Sequence, residues 1–312
     1  MPVSLSPAQR HLALSAANRR GIASMTIAMG FFVSNDAIVK FVSQSLPSAQ
    51  LIFIRGVFAS VFLLAVARHM GFINGPNGHL RQLLIRPVLL RAAFDAVATM
   101  VYLTALFHLP LGNATAINLA TPLFITLMAM LTLGERVGAA RWLIISVGFA
   151  GVLLVVQPRA EGFNAWALLC VLGTFLHAVR DTLTRTIPTS VPSVLITVST
   201  ALAVTLLSGL LSIPQGWKPV EASHLALLAV AAVFLGAGYY LLINAMRAGE
   251  MSVIAPFRYS GLLFALVIGY LVWSEVPNTL AWAGIALLVG AGLTMLLTER
   301  TRNRAALEAA SD

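Results

Sequence analysis

The chain has 312 residues, 59% hydrophobic and only 10% charged, with a formal net charge of +9. Soluble domains carry about a quarter charged residues, so a soluble enzyme or binding domain is excluded. A nucleic-acid binder is excluded as well, because the arginines gather at the ends of apolar runs and form no basic face.

A helix crosses a bilayer core roughly 30 Å thick with about 20 mostly apolar residues. On that measure the sequence predicts an all-α membrane protein with ten spans: 22–42, 48–68, 88–108, 113–133, 140–157, 163–185, 193–212, 223–247, 251–272 and 278–297. A polar segment, 1–21, precedes them, and a polar tail, 298–312, follows. The first run lacks a small-residue cleavage site, so no cleavable signal is expected. The connections are short and punctuated by Pro47, Pro110, Pro158, Pro188, Pro192, Pro214, Pro219 and Pro277. The longest, Arg68–Pro87, ends in a basic amphipathic stretch expected to lie in the interface.

Orientation follows from the basic residues. With the N-terminus inside, one face collects fourteen: Arg10, Arg19, Arg20, Arg68, Arg81, Arg86, Arg91, Arg136, Arg141, Arg185, Arg247, Arg300, Arg302 and Arg304. The other face has two, Arg159 and Lys218, and four lie within spans. Both termini are therefore expected in the cytoplasm.

Ionisable groups within a bilayer are costly and normally face a cavity or a partner. In span one, Asp36 and Lys40 stand one turn apart, and mutual pairing accounts for both. In the alternative reading Lys40 guards the outer mouth while Asp36 faces a cavity. Arg55 in span two has no acidic residue within a turn. In span three Arg91 and Asp95 form a second i, i+4 pair. Asn118 and Thr121 precede Pro122, where a kink would free carbonyls toward a cavity. Span six carries "HAVRD", with His177 and Asp181 at i, i+4 around Arg180. Arg258 follows Pro256 and precedes Gly261, so local backbone distortion is expected there. Arg258 is the leading functional cation unless Asp181 or Asp95 pairs with it. Tyr102, Tyr239, Tyr240, Asn244 and Tyr259 are candidates for aromatic walls and polar contacts.

No second histidine stands at metal-ligand spacing, and no Walker motif is present, so neither metal nor ATP nor another cofactor is expected. An intramembrane enzyme using His177, Asp181 and Asp95 would need a nucleophile or metal that no spacing marks. The single cysteine, Cys170, has no partner for a disulfide and is expected to be packing.

The two halves align without a gap at an offset of 140 residues: Lys40 falls on Arg180, Glu135 on Glu275 and Trp142 on Trp282. Repeats 22–157 and 158–297 thus hold five spans each, and an odd number inverts the second copy. Inverted repeats are typical of secondary transporters, whose site lies near the midplane between the halves.

Two stretches carry a family resemblance: "FHLPLGNATAINLATPLFITLMAMLTLGERVGAARWLIISVGFAGVLLVV" (Phe107–Val156) and "GEMSVIAPFRYSGLLFALVIGYLVWSEVPNTLAWAGIALLVGAGLTMLL" (Gly249–Leu297). With Lys40 and Arg55 they resemble the drug/metabolite transporter superfamily, in its ten-helix form of two EamA-like repeats. The resemblance implies a central cavity lined by spans one to four and six to nine, with five and ten outside it. Those two spans have no ionisable interior residue and carry Gly148, Gly151, Gly284, Gly290 and Gly292, suited to close helix packing. The resemblance also implies a bacterial inner-membrane secondary transporter for small metabolites, with amino acids, aromatic and neutral ones included, and export favoured. Uptake or exchange of a nucleoside, cofactor, polyamine or drug is the alternative. The chain is expected as a monomer or weak homodimer.

Overall fold

The computed structural model describes residues 7–73, 80–121, 123–125, 127–128, 139–156, 164–184, 186–188, 190–248 and 254–309. Glu135, Arg136, Arg159, Arg185, Pro122 and Pro158, all used in the sequence reading, lie outside the described residues.

Among the described residues there are ten α-helices: α1 Pro7–Val42, α2 Ser48–His69, α3 Arg86–Leu106, α4 Leu111–Asn118, α5 Ala139–Val156, α6 Ala165–Thr184, α7 Ser193–Gln215, α8 Ala222–Ala248, α9 Ser260–Trp273 and α10 Thr279–Ala309. Helices suit an apolar solvent because every backbone hydrogen bond closes within the segment. Six described helices, α1, α2, α3, α6, α7 and α8, have stretches long and apolar enough to cross a membrane. The other four overlap shorter apolar stretches, Leu111–Ile125, Trp142–Val155, Phe257–Trp273 and Thr279–Thr294.

Several boundaries differ from expectation. Helix α1 begins fifteen residues before position 22, and α10 runs on through "ERTRNRAALEA" to Ala309. Neither extension contains an internal proline or a glycine stop, and most of its residues are good helix formers. From Pro7 to Gly21 and from Glu299 to Ala309 the chain is thus helical. Pro47, Pro110 and Pro192 immediately precede α2, α4 and α7, where a fixed φ near −65° suits a helix entrance. Pro214 lies inside α7, in its last turn, and Gly216 ends that helix at φ +74°. In the Arg68–Pro87 linker, Leu80–Leu84 forms a 3-10 turn that turns Leu83 onto Leu63, Ala67 and Val198 and leaves Leu84 exposed.

Each helix of the first half packs on helices of the second. Helix α1 lies against α8 and α9, α2 against α7 and α8, and α3 against α6 and α7. Helix α4 lies against α9 and α6, and α5 against α10. At the α5–α10 crossing, Gly151 and Gly284 face each other's backbone. A Cβ on Gly284 would stand 2.6 Å from the Gly151 carbonyl oxygen. Close backbone approach of this kind supplies packing where lipid offers no hydrophobic drive. Large side chains such as Val61, Leu143, Leu206, Ile213 and Leu271 point outward, as a lipid-facing surface requires.

Candidate functional site

A cavity of about 560 Å³ lies among the helices. Helix α1 contributes Phe32, Asn35 and Asp36; α2 contributes Arg55, Gly56 and Ala59; α3 contributes Thr99 and Tyr102. The α4 segment adds Thr115, Asn118 and Thr121; α6 adds His177, Arg180 and Asp181; α7 adds Thr197 and Thr200; α8 adds Tyr239. Two interruptions in helical structure open onto it. Helix α4 stops at Asn118, whose carbonyl accepts a hydrogen bond from the Thr121 hydroxyl at 2.6 Å. Residues Ala255–Tyr259 form a 3-10 turn ahead of α9, which aims Arg258 and Tyr259 at the cavity. Distortion next to Pro256 is what the sequence anticipates. Among the described residues, helix α5 contributes none to the lining and α10 only Gly292, which packs on the Tyr259 hydroxyl.

Eleven of the fifteen expected residues line this one cavity: Asp36, Arg55, Tyr102, Asn118, Thr121, His177, Arg180, Asp181, Tyr239, Arg258 and Tyr259. The other four stand elsewhere. Tyr240 is 60% exposed on the outer side of α8, and Asn244 lies on α8 beyond the lining. Asp95 is buried behind the wall, and Lys40 is buried outside the lining, near the C-terminal end of α1.

The pairings differ from those that helical spacing suggests. Lys40 binds across the bundle, leaving Asp36 to other partners: its Nζ donates to Glu275 Oε1 at 2.5 Å and to the Leu109 carbonyl at 2.6 Å. The ammonium also stands 4.7 Å from the centre of the Trp273 ring. Glu275 Oε2 accepts from the Leu111 amide at 2.7 Å, so this carboxylate joins α1, the α3–α4 turn and the end of α9. Lys40 sits at the C-terminal end of α1 and has the reach to leave its own helix face. Asp36 instead accepts from Asn35 Nδ2 at 2.9 Å, and Asn35 Oδ1 accepts from Arg55 Nη1 at 3.1 Å. Asn35 is thus the link between an acid on α1 and a base on α2. It was missed because an asparagine in an apolar helix carries no charge to mark it.

The Arg91–Asp95 contact exists at 3.4 Å, yet the closer cation is Arg180 from α6, at 2.8 Å. Arg91 also donates to Thr184 and Thr200 on α6 and α7. Arg180 reaches Asp181 as well, at 2.9 Å. His177 Nδ1 pairs with Asn118 Oδ1 at 3.1 Å and makes no bond to Asp181. Arg258 forms no ion pair with Asp181 or Asp95, since Arg180 and Arg91 hold those carboxylates. One buried acid, Asp95, and one partly exposed acid, Asp181, shared among two arginines form a satisfied network, the arrangement in which buried charge is tolerated.

Chemically the cavity offers a mixed surface. Apolar and aromatic walls, including Phe32 edge-on to Tyr239 at 5.1 Å and Tyr102 beside His177 at 5.4 Å, surround a few placed polar groups. Small-molecule sites are commonly built this way. No group of three or more metal-ligating side chains occurs among the described residues.

The family model described as "EamA-like transporter family" matches residues 19–157 and again 164–298. The chain is 30% identical over 258 residues to a riboflavin transporter of Rhizobium johnstonii, covering 83% of this chain and 84% of that protein. It is 26% identical to the pseudopaline exporter of Pseudomonas aeruginosa, over 90% of this chain and 98% of that one. The S-adenosylmethionine uptake transporter of Rickettsia bellii is also 26% identical, with 88% and 95% covered. A solved crystal structure superposes with a TM-score of 0.58 at 20% identity, over 92% of this chain and 99% of its own, and shows the same fold. With two matched units that together take up most of the sequence, the chain belongs to the EamA-like transporter family of the drug/metabolite transporter superfamily, and is a multi-pass membrane transporter, not an enzyme.

Proposed function

We propose that the protein is a secondary transporter that carries one small metabolite through the 560 Å³ cavity by alternating access. The observation that carries this reading is the cavity's position relative to the Lys40–Glu275 tie. On α6, α7, α8 and the α9 segment, every lining residue belongs to the part of the helix remote from that tie. One end of the bundle is therefore latched while the cavity extends toward the other.

The helix pairing supports an inverted duplication. Exchanging the first five helices for the last five turns the α1–α8 contact into α6–α3, α2–α8 into α7–α3, and α1–α9 into α6–α4. The α2–α7, α4–α9 and α5–α10 contacts map onto themselves. Two such halves rocking about a midplane site give alternating access. The excess of basic residues on one side supports an inner-membrane protein with both termini cytoplasmic and the Lys40 end outward.

The named relatives favour a cofactor-like or other heterofunctional metabolite over the amino acids that the resemblance suggests. One of them is an uptake protein and another an exporter, so they give no preference for export. The test is flux of labelled riboflavin, S-adenosylmethionine and a set of amino acids into liposomes holding the purified protein. Saturable exchange of at least one cofactor-like compound above empty vesicles is expected. Saturable exchange confined to amino acids would reverse the substrate assignment, and no flux over the whole panel would sink the transport reading.

A further inference from the structure

The charges around the cavity do not balance. Its lining holds three guanidinium groups, Arg55, Arg180 and Arg258, and two carboxylates, Asp36 and Asp181. Behind the wall Asp95 takes Arg180 at 2.8 Å and Arg91 at 3.4 Å, and Arg180 also binds Asp181. That cluster sets two cations against two anions and is neutral. Arg55 is matched by Asp36 through Asn35, again one against one. Lys40 is spent on Glu275, away from the lining. His177, bonded to Asn118, brings no negative charge. Arg258 is left over: it makes no ion pair with any described carboxylate, yet it faces the same cavity. A second donor in the same lining is idle. Arg55 is 4% exposed, and its Nε is buried without a hydrogen-bond partner.

We propose that Arg258 is the receptor for an anionic group, a carboxylate above all, and that among aromatic or heteroaromatic molecules of one shape the cavity prefers the monoanion; this rests on the transport reading above. A half-buried cation without an ion pair attracts one counter-charge, and a planar guanidinium suits a carboxylate in a two-point contact. A single surplus charge fits a monoanion; a phosphate dianion would leave the site net negative. The remainder of the substrate lies along Phe32, Tyr239 and Tyr102, whose rings provide flat apolar surfaces. The unsatisfied Arg55 Nε receives a second acceptor of the same molecule, since an unpaired buried donor is costly to leave unmade.

The experiment separates charge from shape by comparing naphthoate with naphthamide, which share a ring system and differ in the anionic group. Binding of each is titrated on the purified protein, and riboflavin, uncharged at neutral pH, is followed separately as a flux probe in phosphatidylcholine liposomes. A preference for naphthoate of about tenfold or more is expected, as befits a charge-assisted hydrogen bond. Arg258→Gln should bring the ratio close to one, and Arg258→Lys should keep a reduced preference, which rules out simple misfolding. Equal binding of the two probes by a protein that moves riboflavin would overturn the anion assignment and leave the transport reading intact. A naphthoate preference that survives in Arg258→Gln would also overturn it, because the counter-charge would then lie elsewhere. Absence of both binding and flux with every probe would remove the two readings together.

Discussion

At the scale of single residues, the protein handles buried charge by sharing it between helices. Asp95 is the clearest case, with a side chain 2% exposed and two arginines from different helices on its two oxygens. Replacing it with Ala leaves both cations near apolar surroundings without their anion. A loss of about 3–5 kcal/mol is expected, read as a marked fall in melting temperature in detergent. Asp181, 30% exposed and bound to Arg180 alone, should cost far less when replaced by Ala. Equal melting temperatures for the two variants would contradict this account. The candidate residues themselves were legible in the sequence, because an ionisable group within an apolar run needs a reason. Their partners were not. Periodicity reports neighbours at i+3 and i+4, whereas Lys40 joins Glu275 at a separation of 235 residues and Arg180 joins Asp95 at 85.

At the scale of helices, small residues and prolines decide how the elements meet. Spans five and ten were legible as scaffold from their glycines and lack of interior charge, and their contact runs through Gly151 and Gly284. Gly284→Val places its Cβ 2.6 Å from the Gly151 oxygen and 2.9 Å from Leu154 and Val155, so the helices must separate. A cost of about 1–3 kcal/mol is expected, measured by thermal unfolding. Gly290 on the same helix has open space where a Cβ would go, so Gly290→Ala should leave the melting temperature unchanged. Matching losses at both positions would remove the packing argument. Helix ends were harder to read. Hydropathy marks where lipid contact stops, not where the backbone stops being helical, which is why α1 and α10 outrun their apolar spans.

At the scale of the whole molecule, access to the cavity depends on which end is tied. If the Lys40–Glu275 contact closes its end, loosening it should admit reagents from that side. A cysteine placed at Thr115, which lines the cavity within the α4 segment, provides the reporter. With Glu275→Gln added, reaction with an impermeant maleimide supplied from the Lys40 side should quicken several-fold. An unchanged rate would show that the latch lies elsewhere. The all-helical membrane fold, the family and the existence of a polar cavity were readable from composition, spacing and resemblance. The state of the latch was not, because under the proposed alternating access it depends on which of two packings the halves adopt.

Cys170 is wholly buried on α6, its sulfur 3.8 Å from the Ala114 carbonyl, and it is the chain's single thiol. The natural sequence is therefore almost blank to sulfhydryl chemistry, and dyes or spin labels attached at chosen sites report with little background. Under the proposed alternating access, two such rulers, one across each mouth of the bundle, should lengthen and shorten in opposition. The burial of one small side chain thus makes the transport cycle open to spectroscopy without first stripping the protein of its own cysteine.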